Sequence, residues 1–175
     1  MGVVGIFGKP QHPELGNVLT GICSQARRAG WKVLIENTLE CDLADVEMRA
    51  PERIVQRADK VVVLGGDGTL IRAVRLMDEL QVPVFGVNLG KLGFLAAFTV
   101  DEAGTEFARV LAGDYEVDER IRLRAELSRD GKVIHDVRAF NDVVVSSGPI
   151  SRVVDIRADI DGKFVANYRA DGLIV

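Results

Sequence analysis

Much of what ordinarily marks a phosphate-handling chain is missing from these 175 residues. There is no GxxxxGK[ST] phosphate loop and no GxGxxG dinucleotide fingerprint, which removes the usual NTPase and dehydrogenase signatures. Cysteine is scarce: Cys23 and Cys41 form neither a disulfide framework nor a metal-binding spacing, which suits a reducing compartment. The two histidines, His12 and His135, have no partner at helical or metal-type spacing and read as surface or strand residues. No apolar run exceeds the length of a strand, so neither a signal peptide nor a membrane span is expected. Nor is there a basic stripe: a formal net charge of -4 argues against a broad nucleic-acid surface. These absences predict a soluble cytoplasmic protein.

What is present can build a core. Hydrophobic residues make up 47% of the chain and charged residues 27%, the balance of an ordered globular protein with one domain or two small ones. Short apolar runs at Val3-Val4, Ile6-Phe7, Val33-Leu34-Ile35, Val61-Val62-Val63 and Val84-Phe85 read as strands. Between them, Leu15, Val18, Leu19, Ile22 and Ala26 keep helical spacing up to Gly30, and Leu70, Ala73, Val74, Met77 and Leu80 do so again before Pro83. Pro51 opens a short helix, Pro being tolerated in a first turn. The acidic stretch 36–47 reads as an irregular loop, and a helix follows over 101–112. Four buried strands alternating with helices predict a parallel α/β sheet.

Beyond that the period changes from helical to two. Ile121, Leu123, Ala125 and Leu127 alternate with polar residues, Asp130-Gly131 is a hairpin turn, and Asp161-Gly162 repeats the arrangement after Val154, Ile156, Ala158 and Ile160. The fold class is therefore α/β: a Rossmann-like parallel domain followed by an incomplete, mainly antiparallel β domain. The expected organisation is an α/β domain over 1–100, a helical linker over 101–118 and the start of a β-rich domain over 119–175. The chain stops inside an apolar run, Gly172-Leu173-Ile174-Val175, which leads to the expectation of an N-terminal portion of a longer protein.

One stretch carries chemistry. Leu64-Gly65-Gly66-Asp67-Gly68-Thr69 joins the valine strand to the next helix, the position where open α/β sheets bind ligands. Gly65, Gly66 and Gly68 suit a phosphate-facing turn by allowing positive φ and close approach of backbone N–H groups. Thr69 is placed to cap the helix, whose N-terminus carries partial positive charge. Asp67 stands out, because a carboxylate repels phosphate. It suits accepting a proton from a hydroxyl nucleophile, or facing phosphates through a divalent cation by way of water and not as a direct ligand. The plainer alternative is a capped turn in which Asp67 only binds backbone. A second turn, Asn88-Leu89-Gly90-Lys91-Leu92-Gly93-Phe94-Leu95, lets backbone approach a ligand or simply places Leu92, Phe94 and Leu95 in the core.

These residues resemble the NAD kinase family over essentially the whole chain. The Gly65-Gly66-Asp67-Gly68-Thr69 turn is shared with diacylglycerol, sphingosine and phosphofructokinases and fixes only the superfamily. More specific are Gly86 to Leu95, Phe140-Asn141-Asp142-Val143-Val144 and Tyr168-Arg169-Ala170-Asp171-Gly172-Leu173-Ile174-Val175, in that order. The resemblance implies transfer of the γ-phosphate of ATP, or alternatively of polyphosphate, to the 2′-hydroxyl of the adenosine ribose of NAD, giving NADP, with Mg or Mn present. It implies Asp67 as proton acceptor, Asp67, Gly68, Arg72, Asn141, Asp142, Arg152, Arg169 and Asp171 as NAD-binding residues, and a homodimer or homotetramer. Physically, the Asn141 amide can pair with an adenine edge, and Arg152 and Arg169 can fork onto pyrophosphate oxygens. The family's Gly-Ser-Thr-Ala-Tyr segment is absent here, so this chain alone is expected to have little or no activity. A lipid kinase on the same scaffold and a non-catalytic nucleotide-binding module are the alternatives. No basic amphipathic helix is present to support the lipid reading.

Overall fold

A computed structural model describes residues 1–91, 93–147 and 153–175. It divides into two compact units, Met1–Arg120 and Ile121–Val175.

The first unit is a six-stranded parallel sheet. Its strands are β1 (Val3–Gly8), β2 (Lys32–Glu36), β3 (Glu47–Arg49), β4 (Lys60–Gly65), β5 (Val84–Asn88) and β6 (Phe98–Thr99), in the order β3-β2-β1-β4-β5-β6. The four expected strands are all there. β3 and β6 are two short additions at the edges, and β3 begins at Glu47, the last residue of the stretch that the sequence assigns to loop. Neither shows alternation long enough to read: β3 is three residues and β6 is two.

Period-2 geometry sorts the strand residues onto two faces. Val4, Ile6, Val33, Ile35, Val62, Leu64, Phe85 and Val87 share one core with helix α1 (Leu15–Arg28) and helix α4 (Val100–Ala112). On the other face, a methyl group added at Gly5 would meet Ile54 and Ala58, at or just beyond helix α2 (Pro51–Val55); one added at Gly86 would meet Leu70 of helix α3 (Asp67–Met77). Helices thus cover both faces, and the strands that turn their alternate residues both ways read as continuous apolar runs. Pro51 occupies the first turn of α2 as expected. Helix α3 ends earlier than its apolar spacing suggests: Asp78 takes φ 45, and Leu80 is exposed.

The helix expected as a linker lies inside the first unit. Ala103 and Phe107 of α4 are buried, and the Phe107 ring sits 5.6 Å from that of Phe85. Its start is fixed by a capping box: the Thr99 hydroxyl accepts from the Glu102 N–H, and the Glu102 carboxylate accepts from the Thr99 N–H at 2.9 Å. Thr99→Ala should cost about 1 kcal/mol of stability, read as a shifted urea midpoint at unchanged slope.

Among the described residues, the second unit contains three two-stranded antiparallel ladders. β7 (Leu123–Arg129) pairs with β8 (Lys132–Ala139), β10 (Val154–Ile160) with β11 (Lys163–Ala170), and β9 (Val144–Ser146) with β12 (Gly172–Ile174). Both aspartate-glycine turns form as the sequence predicts. Asp130 and Gly131 take φ 52 and 73, and Asp161 and Gly162 take φ 51 and 73, the paired positive values that match hairpin twist. The alternation does not produce a core here: no described residue from 121 to 175 is buried, and Leu127 is half exposed. Among the described residues no helix is long and apolar enough to cross a membrane.

Candidate functional site

The strand order reverses between β1 and β4, so the crevice beyond their carboxyl ends lies at the switch point of the sheet. Two turns flank it: Gly8-Lys9-Pro10 after β1 and Gly65-Gly66-Asp67 after β4. They are tied at the base, where the Lys9 N–H donates to the Leu64 carbonyl at 2.8 Å.

The turn after β4 is built differently from expectation in two respects. Gly66 is the residue that caps α3, with extended backbone (φ -129) and no side-chain hydrogen bond. Thr69 is therefore not the cap. It is the third residue of the helix, and its N–H donates to the Gly66 carbonyl at 3.0 Å. Nor do the glycines supply positive φ: among the described residues, the glycines with positive φ are Gly30, Gly113, Gly131 and Gly162. At Gly65 the requirement is space, because an added Cβ would stand 2.4 Å from the Thr69 Oγ1. Gly68 is exposed with nothing within 4 Å of such an atom, so the head of the helix is open there.

Asp67 is the first helical residue, where a carboxylate is favoured by the dipole. Its oxygens are engaged by the chain after the second glycine turn. Oδ2 accepts from the Phe94 N–H at 2.9 Å, and Oδ1 accepts from Leu95 and Ala96 at 3.0 and 3.2 Å. The Phe94 bond is the main cause that holds the Asp67 carboxyl below the usual carboxylate range; Ala96 and Leu95 add to it, and partial desolvation opposes it. Gly93 makes this approach feasible, since an added Cβ would lie 2.4 Å from Oδ1. The sequence left open whether residues 88–95 met a ligand or the core. Phe94 is 97% exposed, and Leu95 is only partly buried. Leu92 falls outside the described residues. Asn88, 5% exposed at the end of β5, accepts from the Gly90 N–H at 3.1 Å and lies beside Gly66.

Arg72 and one residue that the sequence did not single out form the opposite wall. Glu36, at the end of β2, is fully buried. Its Oε1 accepts from the Gly8 N–H at 2.7 Å and from Arg72 Nη2 at 2.6 Å, while Oε2 accepts from Arg72 Nη1 at 2.7 Å. The Glu36 bonds raise the Arg72 pKa further above its ordinary value. Arg72 Nη2 also reaches the Gly8 carbonyl at 3.3 Å, and the guanidinium stands 5.7 Å from the centre of the Phe7 ring. Both terminal nitrogens of Arg72 are thus engaged within the protein.

The remaining candidates belong to the second unit. Asn141 Nδ2 donates to Asp142 Oδ2 at 2.9 Å, with both residues exposed. They precede β9, whereas Asp171 precedes the antiparallel β12 and its carbonyl faces the Ser147 N–H. Those two ends of the ladder are roughly 17 Å apart at strand rise, so this ladder alone does not bring Asp171 to Asn141-Asp142. Arg169 is exposed on β11, in register with Asp155. Arg152 lies outside the described residues. Among the described residues no group of three or more His, Cys, Asp or Glu side chains is arranged to hold a metal. Among the described residues of the turn only Asp67 carries an anionic oxygen, which suits a cation held mainly by phosphates and water.

The fold and site define a doubly wound α/β domain whose switch-point crevice is lined by a glycine-aspartate turn. The ATP-NAD kinase N-terminal domain family matches residues 4–115. The NAD kinase of Geotalea daltonii is 39% identical over 172 residues, covering 98% of this chain and 61% of that protein. The NAD kinase of Syntrophobacter fumaroxidans is 47% identical over 119 residues, covering 68% of this chain and 42% of that protein. A crystal structure of yeast NADH kinase complexed with NADH superposes with a TM-score of 0.85 at 25% identity, covering 99% of this chain and 57% of that one. The chain belongs to the NAD kinase family, and it spans 61% of the length of the Geotalea relative.

Proposed function

We propose that the protein is an NAD kinase, which transfers the γ-phosphate of ATP to the 2′-hydroxyl of the adenosine ribose of NAD. The observation that carries this reading is the Asp67 carboxylate, held by three backbone N–H groups at the switch-point head of α3 in a chain of this family. As the ribose oxygen bonds to the γ-phosphorus, the bond from phosphorus to the β–γ bridging oxygen breaks and ADP leaves. The hydroxyl proton passes to Asp67.

A carboxylate held below its usual range is a weak base, but this reaction asks little basicity of it. Phosphoryl transfer proceeds through a loose transition state, so the hydroxyl becomes acidic only once the new bond is forming. Positioning and a full negative charge at every physiological pH are what Asp67 supplies. The N–H groups at the head of α3, around Gly68, offer partial positive charge to phosphate. A divalent cation, Mg or Mn, would offset the donor's charge, with Asp67 reaching it through water. Asn141, Asp142, Arg152, Arg169 and Asp171 are assigned to NAD in keeping with the family's pattern, and a cytoplasmic homo-oligomer is the expected form.

The test is a coupled NADP-formation assay on the full-length protein, with ATP and polyphosphate compared as donors and NAD and NADH as acceptors. NADP formed from NAD and ATP is the expected result. Phosphorylation of a diacylglycerol analogue with none of NAD would replace this reading by a lipid kinase. NAD binding in calorimetry without turnover would replace it by a non-catalytic module.

A further inference from the structure

A glutamate buried to 0% exposure at the end of a strand is expensive unless its charge is fully used. Glu36 uses it to join three elements at one point: its own strand β2, the Gly8 amide at the end of β1, and Arg72 in the second turn of α3. Arg72 closes the triangle by donating to the Gly8 carbonyl as well. Both backbone polar groups of Gly8 are thus engaged, its N–H by Glu36 and its C=O by Arg72. An ion pair buried on the Glu36 side and 41% exposed on the Arg72 side is weak grounds for stability, because desolvating the carboxylate offsets much of the attraction. What this arrangement fixes is geometry. β1 and β4 bound the switch point, and α3 begins at Asp67, so the pair sets the distance between the turn at Gly8 and the turn at Gly66.

We propose that Glu36 is a positioning residue for phosphoryl transfer, acting through Arg72 to hold the Gly8-Lys9-Pro10 turn against helix α3 and so fix the two walls of the phosphate crevice. This rests on the kinase reading above. It also gives Arg72 a different task from the one the family resemblance implies, because three of the five guanidinium N–H donors are spent on Glu36 and Gly8. Arg is suited to that task where Lys is not, since only a planar fork satisfies both carboxylate oxygens and a carbonyl together.

The experiment compares Glu36→Gln, Arg72→Met and the double variant in the full-length protein. It records kcat, NAD affinity by calorimetry, and amide exchange at residues 8, 9 and 66–69. Misplacement of a phosphate wall should lower kcat by on the order of 10–10²-fold. NAD affinity should hold within about threefold, and the double variant should be no slower than the poorer single one, as expected of residues acting as a unit. Exchange at residues 8 and 9 should accelerate in both single variants while core strands stay protected. Should Arg72→Met fail to fold, Arg72→Lys keeps the charge but not the fork, and the same pattern is expected at smaller amplitude. A tenfold loss of NAD affinity in Arg72→Met with none in Glu36→Gln would place Arg72 on the nucleotide and overturn the proposal. Unchanged kcat in both single variants would overturn it too. A wild-type protein that forms no NADP would fail the kinase reading alone. The exchange measurement would then still decide whether the tether exists, and unchanged exchange at residues 8 and 9 would reject it.

Discussion

Asp67→Asn in the full-length protein should slow NADP formation by about 10²–10⁴-fold, the range for losing a positioned general base. The three N–H bonds complicate that experiment in a defined way. Asparagine keeps one carbonyl oxygen, so at least one of the Phe94, Leu95 and Ala96 amides would face an NH₂ group instead of an acceptor. The substitution therefore removes the proton acceptor and loosens the segment after Gly93 together. Gly93→Ala separates the two effects. Its added Cβ would fall 2.4 Å from the Asp67 Oδ1, so the loop and the carboxylate must part while the carboxylate stays chemically intact. If Asp67 acts as acceptor, Asp67→Asn should be at least about tenfold slower than Gly93→Ala. Equal losses in the two would reduce Asp67 to a tie between turns, the plainer role that the sequence already allowed.

The pH dependence follows from the same bonds. Asp67 has its carboxyl pKa lowered in the folded state, chiefly by the Phe94 N–H. A lowered folded pKa contributes stability above the unfolded value of about 3.9, and that contribution is lost as pH falls through the lower folded value. No acid limb of activity near neutrality should arise from Asp67. A kcat profile with a limb above about pH 5 that disappears in Asp67→Asn would contradict this assignment.

How far the sequence led depended on how local each signal was. Asp130-Gly131 and Asp161-Gly162 were legible because a two-residue hairpin needs positive φ within those residues themselves. The valine strand and the Pro51 helix start were legible for the same reason. Glu36 was not: it follows an apolar strand, opens an acidic stretch, and its partners lie 28 and 36 positions away. The Asp67 bonds to 94–96 were equally invisible, since backbone N–H groups leave no mark in a sequence. The glycine turn was found at the right place but for partly the wrong reason. Its Gly65 answers to the bulk of Thr69 and not to backbone handedness.

Helix α4 provides the second large effect, Phe107→Ala. Read from its sequence, this amphipathic segment between two different periodicities looks like a linker. In the structure Phe107 is 0% exposed and meets Phe85, which stacks on Phe98 at 4.6 Å, so the helix closes one face of the parallel sheet. Removing a buried phenyl ring leaves a cavity that costs about 3–5 kcal/mol, including loss of the aromatic contact. Against a domain stability of about 5–15 kcal/mol that is a large share. Trp31 is the chain's one tryptophan, packs against the same core cluster and reports on the first unit alone. Its fluorescence midpoint in urea should therefore fall steeply in Phe107→Ala. Val117→Ala, in the exposed segment after α4, should move it by less than about 0.5 kcal/mol. If the two substitutions shifted the midpoint equally, α4 would be a connector after all. A steep fall for Phe107 alone would make the capping box at Thr99 and the ring at 107 parts of one device, which starts the helix at the edge of the sheet and seats it on the core before the chain passes to the second unit.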